Sequence, residues 1–325
     1  MPPFLRFLIR RIAQIIPVVI AIAAMNFLLL SLAPGDAASI IAAGYGGADA
    51  QEVEAIRASL GLDQPMWIQF LHYMGRLLTL DLGMSHVQSL PVATLIAERV
   101  GPTLLLMTTA LLVAVLAGMG LGILTSMRHR SWVDQGLTVG SLLVYATPQF
   151  WLGLMLIVVF SVELGILPSS GMASLAWDQT WAEYIIDVAW HLILPASTLA
   201  LFYIATYARL MRASMLEVLS LDFITAARAR GVSELRIGTA HAARNAMLPV
   251  VTLAGVQIGH ALGGQILIET VFGWPGLGRL VLDALLQRDL PTLLGVLFVS
   301  SVMVVAVNLI VDIAYGLLDP RIVNR

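Results

Sequence analysis

Residue types that carry out covalent chemistry in most enzymes are scarce in this sequence of 325 residues. It has six histidines and no cysteine, and all 18 basic residues are arginines. The lack of cysteine excludes disulfides and thiolate metal sites, and the lack of lysine excludes a P-loop lysine and a Schiff base. The histidines lack metal-ligand spacing, and neither an H-E-x-x-H nor a G-x-S-x-G motif occurs. We therefore expect no catalytic residue and no metal site. Since spacing does not determine which residues meet in three dimensions, a membrane enzyme or a scaffold remains the alternative from a different class.

The polar residues of the apolar segment Leu248–Val271 include Gln257, His260 and Gln265. At about 100° per residue they share one side of a helix. On the other side every fourth residue is a glycine, at Gly255, Gly259 and Gly263. The glycines predict close packing of this helix on another. The polar side predicts either hydrogen bonds between helices or the wall of a translocation path, and the residues alone do not decide between these two.

Charged residues are frequent in a single helix-competent segment, at Asp222, Arg228, Arg230, Glu234, Arg236 and Arg244. Gly231 breaks this segment, and Ser233 offers an N-cap just after it. We predict a helix, a glycine turn and a second helix that ends near Pro249. A charge run is usually a solvated connector, but the length and the apolar patches of these helices favour docking on a partner.

The composition determines which elements must position these residues. The chain is 59% hydrophobic and 12% charged, whereas soluble domains carry about 25% charged residues. It is therefore an all-α integral membrane protein. Six apolar runs could cross about 30 Å of hydrocarbon. They lie near Ile12–Ala33, Thr103–Met127, Leu137–Val162, His191–Met211, Leu248–Val271 and Thr292–Leu317.

The distribution of arginines predicts the orientation. Arginines cluster before the first run, between the second and third, between the fourth and fifth, and after the sixth. By the positive-inside rule both termini and the charged segment are cytoplasmic, and the first run is an uncleaved span rather than a signal peptide. Asp312, near the cytoplasmic end of the last run, is expected to be solvated or paired with an arginine.

Residues 1–100 are predicted to hold the first span and a helical segment on the outer face. Within it, one short helix has its apolar face at Val53, Ile56 and Leu60, and a second has an apolar stripe at Trp67, Phe70, Leu71, Met74 and Leu78, typical of an interface anchor. Residues 101–325 are predicted to form a five-helix core with a loop at about 213–247.

The charged segment resembles a known loop. "TAARARG", which runs from Thr225 to Gly231, with "NAMLP" downstream, resembles the cytoplasmic signature loop of ABC-importer permeases. The family's leading Glu is Thr225 here, and the gap from Gly231 to Pro249 is longer than in sugar or small-ion permeases. Both departures resemble the dipeptide/oligopeptide/nickel branch. The segments "LIRRIAQIIPVVI", "LGLDQPMWIQFLHYMGRLLTLDLGMS", "ETVFGWPGLGRLVLDALLQRDLP" and "NLIVDIAYGLLDPRI" resemble other parts of that branch in the same order.

The resemblance implies a type I importer of the inner (plasma) membrane. The complex would have a second homologous permease chain, two ATPase subunits that bind ATP and Mg²⁺, and an external substrate-binding protein, with no cofactor in this chain and no nucleic acid. Its cargo would be peptides; nickel or another small solute is the alternative. The residues implied in coupling to the ATPase are Thr225, Ala226, Ala227, Arg228, Arg230, Gly231 and Glu234. Ala226, Ala227 and Gly231 are expected to lie in the ATPase cleft, and ATP-driven closure would move the spans by alternating access.

Overall fold

The computed structural model describes residues 3–32, 54, 63–85, 87–128, 131–174, 180–261 and 265–318. The described part of the chain contains helices joined by turns and loops, and its β-type pairing is limited to an isolated bridge between Met84 and Pro91. Its helices are α1 Pro3–Leu32, α2 Met66–Leu78, α3 Val92–Met127, α4 Trp132–Ala146, α5 Gln149–Leu156, α6 Trp181–Leu219, α7 Asp222–Ala229, α8 Glu234–Arg236, α9 Ala243–Ala261, α10 Ile266–Val271, α11 Leu277–Leu286 and α12 Leu290–Leu318. A π-helical segment at Ile157–Glu163 continues α5. A second one at Ile237–Ala242 joins α8 to α9 and is called the π-helical turn below.

Long apolar helices confirm the membrane class. Four segments are long and apolar enough to cross a membrane, at Ile9–Leu29, Val92–Met127, Trp181–Leu219 and Leu290–Ile313. The pair formed by α4 and α5 with its π-helical extension passes the same test as a bent span. The described residues therefore support four or five spans by length and composition.

The third predicted span, Leu137–Val162, is not one straight helix. The chain bends by 105° between α4 and α5, and Thr147 between them is extended, with φ −86° and ψ 133°. The cause is Pro148, which lacks an N–H and drives the preceding residue out of the helical region.

The fifth predicted span, Leu248–Val271, also has different bounds. From Glu234 the helix passes through the π-helical turn and Pro249 and continues to Ala261. The prediction that it ends near Pro249 is therefore wrong, since membrane helices tolerate proline where neighbours satisfy the freed backbone groups. Gln265 has φ −111° and ψ 81°, outside the helical region, so α10 is a separate helix.

Two compact units make up the chain: Met1–Val100 with Leu280–Arg325, and Gly101–Arg279. In the first unit, α1 packs against α12 and α2 around Ala23, Leu77 and Phe298. Arg11 forms a 2.8 Å ion pair with Asp312, which confirms that this aspartate is paired with an arginine. The functional division at residue 100 stays a prediction.

The apolar residues predicted to form a stripe on α2 do not share one environment. Phe70 contacts the ring of Phe27 on α1, with ring centres 5.5 Å apart, whereas Trp67 and Leu71 are exposed. The preceding predicted helix, at 53–60, lies outside the described residues.

In the second unit, α3 crosses α6 at two glycines that the sequence analysis missed. A Cβ built on Gly118 would lie 2.6 Å from Cβ of Tyr207, and one built on Gly122 would lie 2.5 Å from Cβ of Met211. These distances are too short for real side chains. The small-xxx-small spacing that permits close helix approach thus operates on α3.

Candidate functional site

The charged segment forms a helix–turn–helix immediately after α6. Leu221 is extended and its carbonyl accepts the first hydrogen bond of α7, from the N–H of Ile224. Asp222 lies in the first turn of α7 and Arg228 in the last, so both charges favour the helix dipole. The predicted first helix is therefore present at Asp222–Ala229.

Gly231 ends α7 in a Schellman motif. Its φ is +77°, its N–H donates to the Arg228 carbonyl at 2.9 Å, and the N–H of Val232 donates to the Ala227 carbonyl at 3.3 Å. A Cβ on Gly231 would meet no atom within 4 Å. The predicted glycine turn is therefore present, and within this chain glycine is favoured there by backbone conformation and not by crowding.

An ion pair spans the turn. Arg228 donates to Glu234 from Nε to Oε1 at 2.8 Å and from Nη2 to Oε2 at 3.2 Å. These hydrogen bonds hold the pKa of the Glu234 carboxyl below its ordinary value. Both side chains are exposed, so the pair contributes little to stability, but it joins the last turn of α7 to the first residue of α8. Ser233 precedes α8 as predicted, although its side chain accepts no capping hydrogen bond.

One face of α7 is buried in this chain's own core. Ile224 and Ala227, one turn apart, are 0% and 2% exposed. They belong to a cluster with Met211 and Met215 of α6 and with Ile237 of the π-helical turn. The side chain of Ala227 is therefore not available to a partner's cleft, and any part that it has in coupling is indirect. The fit of Ala226 and Gly231 in such a cleft stays a prediction.

The opposite face of α7 and the start of α8 carry the residues that a partner could contact. Thr225, Ala226 and Arg230 are exposed. Three large apolar side chains are exposed beside them, with exposed fractions of 45%, 42% and 68% at Leu221, Phe223 and Leu235. We call these six residues the outer face of the loop. Exposed apolar side chains of this size in a charged loop are typical of a protein-binding surface.

A partly buried ion pair ties the helix that leads into this loop to α4. Arg212 on α6 donates from Nε to Oδ1 of Asp134 at 2.7 Å and from Nη2 to Oδ2 at 2.8 Å. Asp134 is 5% exposed on its side chain and lies in the first turn of α4, where Ser131 is the N-cap. The sequence analysis missed this pair. An aspartate at the start of an apolar helix was the available signal.

The π-helical turn after α8 rests on the end of α3. A Cβ on Gly238 would lie 2.5 Å from the sulfur of Met127. The loop is therefore packed against the end of α3 as well as against α6 and α9.

The structure describes only part of the polar and glycine residues predicted for the fifth span. Gln257 is half-buried on α9; His260 and Gly259 also lie on α9, but their side-chain surroundings are outside what the structure describes. Gln265 lies beyond the end of that helix, so the three polar residues do not share one helical face. Gly255 lies on α9 and Gly263 is outside the described residues. Their roles in a translocation path and in helix packing stay predictions.

Glu269 is a buried acid that the sequence analysis missed. It is 0% exposed and accepts hydrogen bonds from Thr103 Oγ1 at 2.9 Å and from the Arg279 N–H at 3.0 Å. A Cβ on Gly276 would collide with this carboxylate, and one on Gly278 would collide with the backbone of Ile266 and lie 3.0 Å from Oε2 of Glu269. The two glycines of "PGLG" thus let the backbone approach the acid, which caps the first turn of α11.

An apolar cavity of about 310 Å³ lies between α3, α5 and α6. Ser197 is the one polar residue of its lining, which is Val113, Leu156, Phe160, Leu167, Ile193, Leu194, Ser197, Ala200, Leu201 and Ile204. This lining suits hydrocarbon better than a charged solute.

Comparison with known proteins gives matches over nearly the whole chain. Residues 118–324 match the profile of the family described as binding-protein-dependent transport system inner membrane component. Residues 4–107 match the profile of the amino-terminal region of such membrane components.

Relatives are similar over their full lengths. The chain is 42% identical to a glutathione transport system permease protein of Escherichia coli O6:H1 over 318 residues, which cover 98% of this chain and 99% of that one. It is 40% identical over 320 residues to proteins of Brucella suis and Brucella abortus that are provisionally named peptide transport system permease proteins, with 97% of this chain and 98% of those covered.

Proposed function

This chain belongs to the family of binding-protein-dependent transport inner membrane components, and from that premise we propose that it forms half of the translocation path of an ATP-driven peptide importer. The observation that carries the proposal is the loop described above, which has an inner face buried on α6 and an outer face of exposed apolar and basic residues. A solvated connector needs neither face. A lever that couples a partner's movement to the membrane helices needs both.

The partner of this lever would be an ATPase subunit. The chain has no lysine and therefore no P-loop lysine of its own, so ATP and Mg²⁺ would be bound by partner subunits. The outer face of the loop, with Phe223, Ala226 and Arg230, would lie in a cleft of that subunit and act as the coupling helix. The complete importer would contain two ATPase subunits, a second homologous permease chain and an external binding protein.

The packing of the loop supplies a route for the movement. Pulling α7 displaces Ile224 and Ala227, which are wedged between α6 and the π-helical turn. The Arg212–Asp134 ion pair would carry the displacement of α6 to α4. Closure of the two ATPases would in this way open the path to the outside, where it receives substrate, and their separation would open it to the cytosol.

We propose six spans, two of them broken: α4 with α5, and α9 with α10. Both termini and the charged loop would be cytoplasmic. Single cysteines at Ser233 and Gln88, both exposed in this cysteine-free chain, test the orientation with an impermeant maleimide. Labelling from outside should reach Gln88→Cys and not Ser233→Cys. The reverse pattern contradicts the topology.

Peptide cargo rests on the names of the relatives, one of which is a permease protein of a glutathione transport system; glutathione is a tripeptide. Nickel or another small solute stays the alternative within this branch, and the external binding protein would make the selection.

The deciding experiment reconstitutes this chain with its second permease chain and ATPases in proteoliposomes and adds the binding protein loaded with radiolabelled trialanine, glutathione or Ni²⁺. We expect ATP-dependent accumulation of a peptide and stimulated ATP hydrolysis. Accumulation of Ni²⁺ alone would refute the peptide assignment, and hydrolysis that no loaded binding protein stimulates would favour a scaffold or an enzyme.

A further inference from the structure

Arg209 occupies an unusual position for a cation. It lies on α6 inside the apolar run His191–Met211 that is expected to span the membrane. Its guanidinium carbon is 5.2 Å from the centre of the Tyr145 ring on α4. That ring is stacked on Phe202 of α6, with centres 5.3 Å apart and planes 17° from parallel. Aromatic rings therefore hold this guanidinium in place.

Its hydrogen-bonding capacity is not satisfied within the described part of the chain. The Nη1 atom of Arg209 is buried and has no hydrogen-bond partner there. The contrast with Arg212, one turn further along α6, is sharp, because Arg212 is paired in a two-pronged way with Asp134. A guanidinium without an anion inside a membrane segment is costly, and such residues mark sites for ions or substrates.

The aromatic partner of Arg209 lies some distance along α4 from the Arg212–Asp134 pair. Tyr145 follows Asp134 by eleven residues on α4, a rise of about 16 Å. Long side chains on a helix extend toward its amino terminus, so Arg209 extends away from the Arg212–Asp134 pair toward Tyr145. Arg209 itself is two residues from the cytoplasmic end of the predicted run His191–Met211, so a lipid phosphate is the competing anion, and the test below distinguishes it from a peptide carboxylate.

We propose that Arg209 is an anion-binding residue of the translocation path and takes the carboxylate of a peptide during its passage. This inference rests on the proposed function. A guanidinium presents two parallel N–H groups that match a carboxylate, and every peptide that is not amidated carries one at its carboxyl end. The Arg212–Asp134 pair joins the same two helices and so keeps the site in register before substrate arrives.

The test measures equilibrium binding of radiolabelled trialanine and of its carboxyl-terminal amide to the complete purified complex without the external binding protein. This arrangement removes selection by the binding protein. We expect the free acid to bind roughly tenfold or more tightly than the amide. Arg209→Gln should remove that preference by weakening binding of the acid, and Arg209→Lys, which keeps the charge but loses the two-pronged geometry, should retain part of it.

Arg128→Gln is the matched control, because Arg128 is exposed at the end of α3 and its loss should leave the preference intact. Size-exclusion chromatography checks that each variant assembles. The inference is overturned if the wild-type complex binds the acid and the amide equally tightly. It is also overturned if the assembled Arg209→Gln complex still prefers the acid, or if it binds both peptides more weakly to the same extent. An assembled Arg209→Gln complex that binds phosphatidylglycerol less tightly than the wild type, but binds trialanine equally well, would assign the anion to lipid and would also overturn the inference. Import of trialanine by the wild-type complex, measured separately, tests the proposed function itself.

Discussion

Leucine substitutions at two adjacent alanines of α7 separate packing within this chain from docking on a partner. Ala227 is 2% exposed and shares a cluster with Ile224, Met215 and Ile237, so Ala227→Leu adds three carbons to a filled core. Overpacking of this kind costs about 1–3 kcal/mol. Ala226 is exposed, and leucine has nearly the helix propensity of alanine. Ala226→Leu should therefore change the stability of the isolated chain by no more than about 0.5 kcal/mol.

The assay pairs thermal unfolding of the isolated chain in detergent with association and hydrolysis in the complete complex. We expect Ala227→Leu to lower the apparent Tm by several degrees. Ala226→Leu should leave Tm at the wild-type value, yet reduce co-purification of the ATPase subunits and abolish peptide-stimulated hydrolysis. Equal loss of Tm in both variants would refute the assignment of the two faces. Wild-type association and stimulation in Ala226→Leu would refute the outer face as the docking surface.

Three further predictions follow from individual contacts. Gly231→Ala should cost about 1 kcal/mol, because only the positive φ opposes it, and Gly231→Asn should cost less; thermal unfolding measures both. Gly122→Leu should prevent assembly of the α3–α6 pair, because a Cβ alone would collide with the neighbouring helix; retention of the wild-type elution volume and Tm would contradict this. Acidification should break the ion pair at Glu234. Because the pKa of this carboxyl is lowered in the folded chain, the pair stabilises the folded chain at pH values above the pKa of the unfolded chain. That contribution is lost as the pH falls through the folded pKa. Hydrogen exchange of the turn amides should then rise at low pH in the wild type, while Glu234→Gln should exchange faster already at neutral pH and show a smaller pH response.

Features that depend on short stretches of chain were predictable. The membrane class follows from composition, because 12% charged residues cannot cover a soluble surface. The turn at Gly231 follows from a glycine between two helix-forming segments, and its positive φ confirms the prediction. Both properties are local, so no tertiary information is needed to derive them.

Breaks inside apolar segments were not predictable by the same reasoning. Hydropathy treats Leu137–Val162 as one span, but Pro148 bends it by 105°. Proline gives no such break at Pro249, where the helix continues. Whether a proline breaks a membrane helix depends on the groups around it, which the local sequence does not encode.

Pairs of residues distant in sequence were decided by the tertiary structure alone. Arg212 meets Asp134 across 78 residues, and Thr103 meets Glu269 across 166. The sequence by itself determined that the loop after α6 is a helix, a glycine turn and a helix, and that alanines line it. Which alanine faces inward depended on where α6 and the π-helical turn present Met215 and Ile237, because a short helix is oriented by the apolar surface against which it buries its side chains. That packing, and not the motif, assigned Ala227 to the core and left Ala226 for a partner.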